Sequence, residues 1–494
     1  MTIITLMIYV AIAAAILTGL TVFVLKAQKS ILMTYVQHFC GSLFIFSGYV
    51  KAVDPLGTAF KMEQYFAEFY YTFNETALSF IAPMFPWMSE HGLLISVAMI
   101  VFEIALGVML IVGARPKLTA WLFFLLVVFF TILTGFTYLT GYVPQGVNFF
   151  EFSQWGPYVE TNMRVTDCGC FGDFIKLKPK VSFFKDVFLL FPSIYFVLAH
   201  RNMHRLFTSR IRMAIVGLVS LLFLVFCVRN YAWDEPIFDF RPFKAGTDVR
   251  AQKLAEEEAM ANVKITHYRM TNKKTGQVVT LPYEQYLKEF KDYPKEEWEF
   301  EQIKTAPEIE PSKISDFDIS DLDGNNVTEE ILNDPGYSFM VTAYKIYQSG
   351  DPRNENVIVK DTIMVADTIQ VDGVDSVVWK VGDIIERTVE KEVYSFDPDY
   401  VKRYTEVVNP VLEKAEAAGY KVFAVTAPNP PALIDDFRHE TQSAYPFYVA
   451  DDLLLKTIQR SNPGLVLWHD GKIVAKWHFK KLPSFEEIQS QYLK

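Results

Sequence analysis

The sequence predicts an all-α transmembrane bundle of about six spans followed by an α/β domain outside the membrane. Of the 494 residues, 51% are hydrophobic, although the formal net charge is −10. The two properties separate along the chain, because long apolar runs dominate residues 1–229 and charged, mostly acidic residues dominate 230–494. The acidic soluble half argues against a nucleic acid as a partner.

Six stretches are long and apolar enough to cross a lipid bilayer. They are, approximately, 3–25, 31–50, 93–113, 118–139, 183–199 and 213–229. The first has no basic residue ahead of its apolar core, which favours a retained span over a cleaved signal peptide. The connection 51–92 is rich in aromatic residues and is expected to lie in the membrane interface.

The distribution of basic residues predicts the orientation of the spans. Three short connections are dense in them: Lys26 and Lys29, then Arg115 and Lys117, then Arg201, Arg205, Arg210 and Arg212. The positive-inside rule assigns these connections to the cytoplasm, so both termini and the two long connections are expected outside. One outer basic cluster, at Lys176, Lys178 and Lys180, does not outweigh the three inner ones.

Two of the four cysteines lie one residue apart in the second long connection, within "TDCGCFGDF" (166–174). On the predicted outer side of a membrane, a disulfide can form and persist. Oxidation of Cys168 and Cys170 closes a small ring that departs from relaxed disulfide geometry, and such bonds are readily reduced. Gly169 permits the backbone turn that this ring needs. The pair could therefore relay electrons between soluble thiols and a quinone held between the helices.

Two alternatives for the cysteine pair stay open at this point. One is a structural disulfide that fixes the loop to the fifth span. The other is a metal site that Asp167 and Asp173 would complete, although two thiolates so close together seldom chelate one ion, and no histidine lies nearby in sequence.

Glu103 lies well inside the third predicted span. An ionisable group at that depth is costly and is expected to be paired or functional. Lys51, Lys61 and Asp54, at the outer end of the second span, are candidate partners. Glu103 could close the bundle through such a pair, or it could relay protons in thiol or quinone chemistry.

Other polar or small residues in the spans have plainer explanations. Cys40 and Cys227 are expected to be small, buried, apolar residues. Ser47 and Gly48 are expected to let two helices approach closely. His38 is expected to hydrogen-bond a neighbouring backbone group.

The soluble half is predicted to begin with a tether, residues 230–314, that contains a short polar helix and a pair of strands turning at Lys274–Gly276. From 315 to 494 the pattern indicates an α/β sandwich on a mixed sheet. Its predicted elements are a strand and helix in "ISDFDISDLDGNNVTEEIL", a strand in "YSFMVTAYKI", a helix in "YVKRYTEVVNPVLEKAEAAGY", a strand in "KVFAVTA", a helix in "PPALIDDFRHETQ", a hairpin in "GLVLWHDGKIVAKW" and a helix in "PSFEEIQSQYL". The hairpin is expected to turn at Asp470–Gly471.

Residues of about 31–200 resemble the DoxX/MauE superfamily of integral membrane proteins. The resemblance lies in "FIFSGYVKAVDPLG" (44–57), "FEIALGVMLIVG" (102–113) and "DCGCFGDF" (167–174). It implies a helical bundle in a bacterial inner membrane. MauE members are associated with methylamine utilisation, where they are thought to help disulfide formation in a periplasmic dehydrogenase.

Residues 315–494 resemble thioredoxin-like domains of the TlpA/ResA kind, through "ISDFDISDLDGNNVTEEIL" and "SNPGLVLWHDGKIVAKW". By this match Pro463 takes the place of the family's cis-proline. The family's Trp-Cys-x-x-Cys motif is missing, because "YQSGDPRNENV" and an insertion at about 347–398 follow the first buried strand. Without those two sulfurs the domain cannot exchange disulfides by the usual route.

The sequence thus supports two hypotheses about function. The first is a membrane-anchored thiol–disulfide oxidoreductase that works as a redox relay through Cys168 and Cys170, with Glu103 as a possible proton carrier. Its degenerate thioredoxin-like domain would lie in the periplasm and bind protein clients. The second is a non-enzymatic scaffold or assembly factor of the cell envelope.

Overall fold

The computed structural model describes residues 2–165, 168–371 and 374–493. The chain forms two compact units, Met1–Arg241 and Pro242–Lys494. The first unit is helical and the second is mixed α/β.

Among its described residues, the first unit contains eight α-helices. They are α1 (Ile3–Gly19, extended by a π-helical turn Leu20–Val24), α2 (Ile31–Val53), α3 (Pro55–Asn74), α4 (Met84–Glu90), α5 (Gly92–Val112), α6 (Pro116–Leu139), α7 (Pro179–Ala199) and α8 (Ser209–Ala232). Within the described residues, six helices are long and apolar enough to cross a membrane, as the sequence predicts. They are Ile3–Val24, Ile31–Val53, Gly92–Val112, Pro116–Tyr142, Pro179–Asn202 and Ser209–Ala232.

Helices α2 and α5 approach each other closely through glycines. A Cβ atom added to Gly41 would lie 2.8 Å from the carbonyl oxygen of Gly107, and one added to Gly48 would lie 2.4 Å from a side-chain carbon of Ile104. Small residues on facing helices permit this contact. The role predicted for Gly48 is therefore confirmed.

The predictions for the other residues singled out in the spans are partly confirmed and partly wrong. Cys40 and Cys227 are fully buried in the helical core, as expected. His38 was expected to hydrogen-bond a backbone group, and this is wrong. The Nε2 atom of His38 instead shares a hydrogen bond of 2.9 Å with the hydroxyl of Thr21. The ring of His38 also stacks on that of His204, with centroids 4.6 Å apart.

The connection 51–92 is largely helical, since it forms α3 and α4. Asp54 caps α3 by accepting a 3.0 Å hydrogen bond from the amide of Gly57, and Pro55 suits the first helical turn. The hydroxyl of Thr137 in α6 donates to the hydroxyl of Tyr65 in α3 at 3.0 Å. Helix α3 is thereby held against the bundle.

The second unit contains eight further helices and ten strands among the described residues. The helices are α9 (Val249–Ala261), α10 (Tyr283–Glu289), α11 (Thr328–Leu332), α12 (Pro398–Lys402), α13 (Asn409–Ala417), α14 (Pro431–Thr441), α15 (Asp452–Ile458) and α16 (Phe485–Tyr492). The strands are β1 (Ile265–Asn272), β2 (Val278–Pro282), β3 (Trp298–Lys304), β4 (Tyr337–Ala343), β5 (Arg353–Val371), β6 (Val374–Val393), β7 (Lys421–Thr426), β8 (Phe447–Val449), β9 (Gly464–His469) and β10 (Lys472–His478).

A five-stranded mixed sheet, in the order β10-β9-β4-β7-β8, organises this unit. Strands β4, β7 and β8 are parallel, whereas β9 runs antiparallel to both β4 and β10. Successive residues of β4 point to opposite faces, so Phe339 and Val341 enter one hydrophobic core and Met340 enters the other. Trp468 is buried in the same core as Met340.

Two smaller sheets are formed elsewhere in the chain, one before the five-stranded sheet and one between its strands β4 and β7. Strands β1, β2 and β3 form an antiparallel sheet in the order β2-β1-β3 within the region predicted as a tether. Strands β5 and β6 form a long antiparallel hairpin within the predicted insertion at 347–398. The strand expected at the start of "ISDFDISDLDGNNVTEEIL" is wrong, because only isolated bridges join Ser320 to Asn326 and to Val449.

Candidate functional site

The Cys-Gly-Cys loop lies between α6 and α7. Gly169 and Gly172 both adopt positive φ angles, +61° and +51°, and the amide of Gly172 donates to the carbonyl of Gly169 at 3.2 Å. A backbone of this shape favours glycine at both positions. The hydroxyl of Ser47 in α2 donates to the carbonyl of Cys170 at 2.9 Å, so this serine positions the loop rather than only allowing helix contact.

Cys168 and Cys170 are both thiols in the structure. Burial raises the pKa of the Cys170 thiol, while the positive charges of Lys185 and Lys51 oppose that rise. Asp167, one of the residues considered for a metal site, lies outside the described residues. Within the part of the chain that the structure describes, no group of three His, Cys, Asp or Glu residues could hold a metal ion.

A cavity of about 310 Å³ lies inside the first unit and reaches both cysteines. Most of its wall is apolar, and the charged and sulfur-bearing side chains are confined to a few positions. The apolar lining includes Leu43, Phe44, Met62, Phe66, Phe69, Met84, Phe85, Met88, Ile95, Met99, Val127, Phe129, Phe130, Leu133 and Leu189. The polar lining includes Ser47, Lys51, Lys61, Glu103, Thr134, Cys168, Cys170, Lys185 and Asp186.

Two ion pairs contribute to this cavity wall. Lys51 Nζ lies 2.6 Å from Glu103 Oε2, and the two side chains are only 5% and 3% exposed. Lys185 Nζ lies 2.5 Å from Asp186 Oδ1. The hydroxyl of Thr134 donates to Asp186 Oδ2 at 3.0 Å. Each buried charge therefore has an opposite charge beside it, as burial requires.

Of the partners considered for Glu103, the structure selects Lys51. Asp54 serves as the cap of α3, and the ammonium of Lys61 donates to the side chain of Gln64 at 2.9 Å. The pairing of Glu103 is therefore established in the structure, whereas its role in proton transfer stays a prediction.

Sequence reasoning missed Lys185 and Asp186. The signal was present in "VSFFKDVFLLF" (181–191), where two adjacent charges interrupt an apolar run long enough to span a membrane. By the rule that singled out Glu103, charges at such a depth are expected to be paired or functional.

In the second unit, the Asn462–Pro463 peptide bond is cis. The groups around Asn462 are bound within the unit itself. The guanidinium of Arg403 donates to the carbonyl of Asn462 at 2.7 Å, and the hydroxyl of Tyr400 donates to its side-chain oxygen at 3.2 Å. The side-chain amide of Asn462 donates to the carbonyl of Lys345 at 2.7 Å. The carbonyl before Pro463 thus already has a charged donor from the chain.

Comparisons with known proteins identify no relative: no family model, no curated protein and no solved structure matches this chain.

Proposed function

We propose that this protein is a membrane-anchored thiol–disulfide relay in which Cys168 and Cys170 exchange disulfides with protein clients outside the cytoplasm. The observation that carries the proposal is the position of both cysteines on the wall of a mostly apolar cavity that also contains two ion pairs. Reactive thiols are typically found where charges and burial control their protonation.

The exchange needs no further reactant in its first half. A client thiolate attacks one sulfur of the Cys168–Cys170 disulfide, and the other sulfur leaves as a thiolate that takes up a proton. The second client thiol then loses its proton and attacks the mixed disulfide. The client gains a disulfide, and the pair gains the two electrons and two protons that the client loses.

The location follows from the basic residues of the short connections. With those connections in the cytoplasm, the cysteine loop and the second unit lie outside, in the periplasm of a bacterial inner membrane. The resemblance of residues 31–200 to the DoxX/MauE superfamily supports this location and the redox role.

The second unit serves, in this proposal, as a thioredoxin-like domain that binds clients without chemistry. The absence of any cysteine after Cys227 supports the lack of chemistry. The guanidinium of Arg403 uses one of the two lone pairs of the Asn462 carbonyl, so a client bound in the groove beside Pro463 would share this carbonyl with Arg403. The lack of any cysteine after Cys227 also favours the second candidate function, a non-enzymatic scaffold of the cell envelope, for this unit.

A mixed-disulfide trap tests the redox role. When Cys170 is replaced, Cys168 is the sulfur of the pair that remains to hold a client as a mixed disulfide. A Cys170→Ala variant should accumulate client adducts that disappear on reduction, because the resolving sulfur is missing. Non-reducing electrophoresis and mass spectrometry of the adducts measure this.

The Cys168→Ala/Cys170→Ala variant is the negative control for the trap. Cys40→Ala is the matched control, because it removes a cysteine that is buried in α2 and leaves the pair intact. If neither Cys170→Ala nor Cys168→Ala forms adducts above the double variant, the relay is excluded and the scaffold remains.

The orientation makes a separate prediction. A reporter enzyme that is active only in the cytoplasm, fused after Lys494, should be inactive, since the C-terminal half is expected outside. The same reporter fused at Arg115, in the connection between α5 and α6, should be active. Activity of the C-terminal fusion would put the cysteine loop in a reducing compartment and contradict the proposal.

A further inference from the structure

We infer that the cavity of the first unit binds the ring of a lipid-soluble quinone, which takes the electrons of the cysteine pair; the inference rests on the proposed function. A relay returns to its disulfide form only when an acceptor removes two electrons from the pair. The cavity offers such an acceptor a site whose wall includes both cysteines.

The size and lining of the cavity match this class of ligand. Its volume of about 310 Å³ is at the lower end of the ~300–1,000 Å³ typical of small-molecule sites. Six phenylalanines and four methionines contribute to its wall. Aromatic rings pack well on a flat conjugated ring, and flexible methionines adapt to its substituents.

The cavity also reaches the outer surface of the helical unit. Met84 of α4 and Phe129 of α6 both line it, yet they are 49% and 51% exposed. Phe129 belongs to one of the six membrane-span helices, so its exposed side faces lipid if the unit is inserted. A ligand dissolved in the bilayer could enter between these two helices and leave its tail among the acyl chains.

The charged part of the cavity provides donors for a carbonyl oxygen. An ammonium group has three N–H donors, and the ion pairs with Glu103 and Asp186 each account for one oxygen contact. Lys51 and Lys185 can therefore also donate to a quinone oxygen while their carboxylate partners stay in place. The same lysines stabilise negative charge as the ring is reduced.

The reaction balances with these components. The S–H bonds of Cys168 and Cys170 break, and one S–S bond forms. The two electrons and two protons released convert both carbonyl groups of the quinone into hydroxyl groups, giving a quinol.

Decylubiquinone provides the test with the full-length protein. The pair is first reduced, the reductant is removed, and decylubiquinone is added without air. We expect quinol to form, by ultraviolet absorbance, in equal amount to the Cys168–Cys170 disulfide found by mass spectrometry. Replacing Leu133, which lines the cavity, by tryptophan should slow this reaction by about tenfold or more, because it fills the ring site.

Ile132→Trp is the matched control, since Ile132 is adjacent to Leu133 in α6 but is 67% exposed and does not line the cavity. Quinol formation by this variant should be about as fast as in the parent protein. Dipyridyl disulfide, a soluble oxidant, should oxidise the pair in all variants at similar rates, which shows that Leu133→Trp leaves the reactivity of the pair unchanged. Met99→Trp fills the cavity from α5 and should repeat the effect.

A binding measurement without turnover completes the test. In the Cys168→Ala/Cys170→Ala variant, a photoreactive azidoquinone should label peptides of α2–α7. Added decylubiquinone should lower this labelling by competition, and the further substitution Leu133→Trp should also lower it. Labelling that Leu133→Trp leaves unchanged overturns the inference. Oxidation of the pair by dipyridyl disulfide but not by decylubiquinone also overturns it while the proposed function stands. Failure with both oxidants overturns the proposed function and the inference together.

Discussion

Replacement of Lys51 by methionine is expected to destabilise the first unit by about 3–5 kcal/mol, the range found when one partner of a buried ion pair is removed. Glu103 Oε2 lies 2.6 Å from the Lys51 ammonium, and both side chains are almost completely buried. Methionine keeps the length of the lysine stem but leaves the Glu103 carboxylate without its opposite charge. Thermal unfolding of the detergent-solubilised protein, followed by gel filtration, measures the loss.

The double variant Lys51→Met/Glu103→Leu is the control for this prediction. It removes both charges, and a buried pair replaced by apolar residues of similar size often costs little. We therefore expect it to recover most of the stability that Lys51→Met loses. A single variant as stable as the parent would mean that the pair does not hold α2 and α5 together.

Replacement of Gly113 by alanine is expected to lower the free energy of unfolding of the first unit by about 3 kcal/mol or more. Alanine is disfavoured in a left-handed backbone conformation, and its added carbon overpacks the site. Gly113 ends α5 with a φ of +67°. An added Cβ would lie only 1.8 Å from the carbonyl oxygen of His204. The segment at His204 is fixed there, because its ring nitrogen Nε2 bonds the carbonyl of Ile111 at 2.8 Å, and its amide donates to Gln37 at 2.9 Å.

Gly217→Ala is the matched control for Gly113→Ala. Gly217 lies inside α8, and a Cβ added there has no atom within 4 Å. Alanine also favours a helix over glycine, so this variant should unfold at the parent temperature or above. Equal unfolding temperatures for the two variants would contradict the close packing at the end of α5.

The membrane-span helices could be predicted because a bilayer sets their length and apolarity directly. The central strands β4, β7 and β9 were similarly clear, since they are continuous apolar runs bounded by turn residues. The turn at Asp470–Gly471 is confirmed, and both residues have positive φ angles, as a two-residue hairpin requires.

Elements stabilised mainly by their neighbours escaped prediction. Strand β8 has only three residues and exists through its pairing with β7. Strand β3 lies in the region predicted as a tether, although Trp298 and Phe300 alternate with Glu299 and Glu301, which is a strand pattern. It forms by pairing with β1. The strand expected at the start of "ISDFDISDLDGNNVTEEIL" does not form, because this segment makes isolated β-bridges and no continuous strand pairing.

The candidate site was predictable only in part. The cysteine pair and Glu103 were identifiable from sequence, since both are unusual in their surroundings. The cavity was not, because it depends on how α2 to α7 pack, and no local sequence pattern encodes the space between helices. Its second ion pair, Lys185 with Asp186, could have been found by treating every charge in an apolar span alike.

The redox state of Cys168 and Cys170 in native membranes tests the central claim most directly. Membranes prepared from aerobically grown cells are alkylated with a heavy maleimide before and after mild reduction, under denaturing conditions, in a Cys40→Ala/Cys227→Ala background. The account predicts no label before reduction and two labels per chain, at these positions, after it. Two labels without any reductant would contradict it.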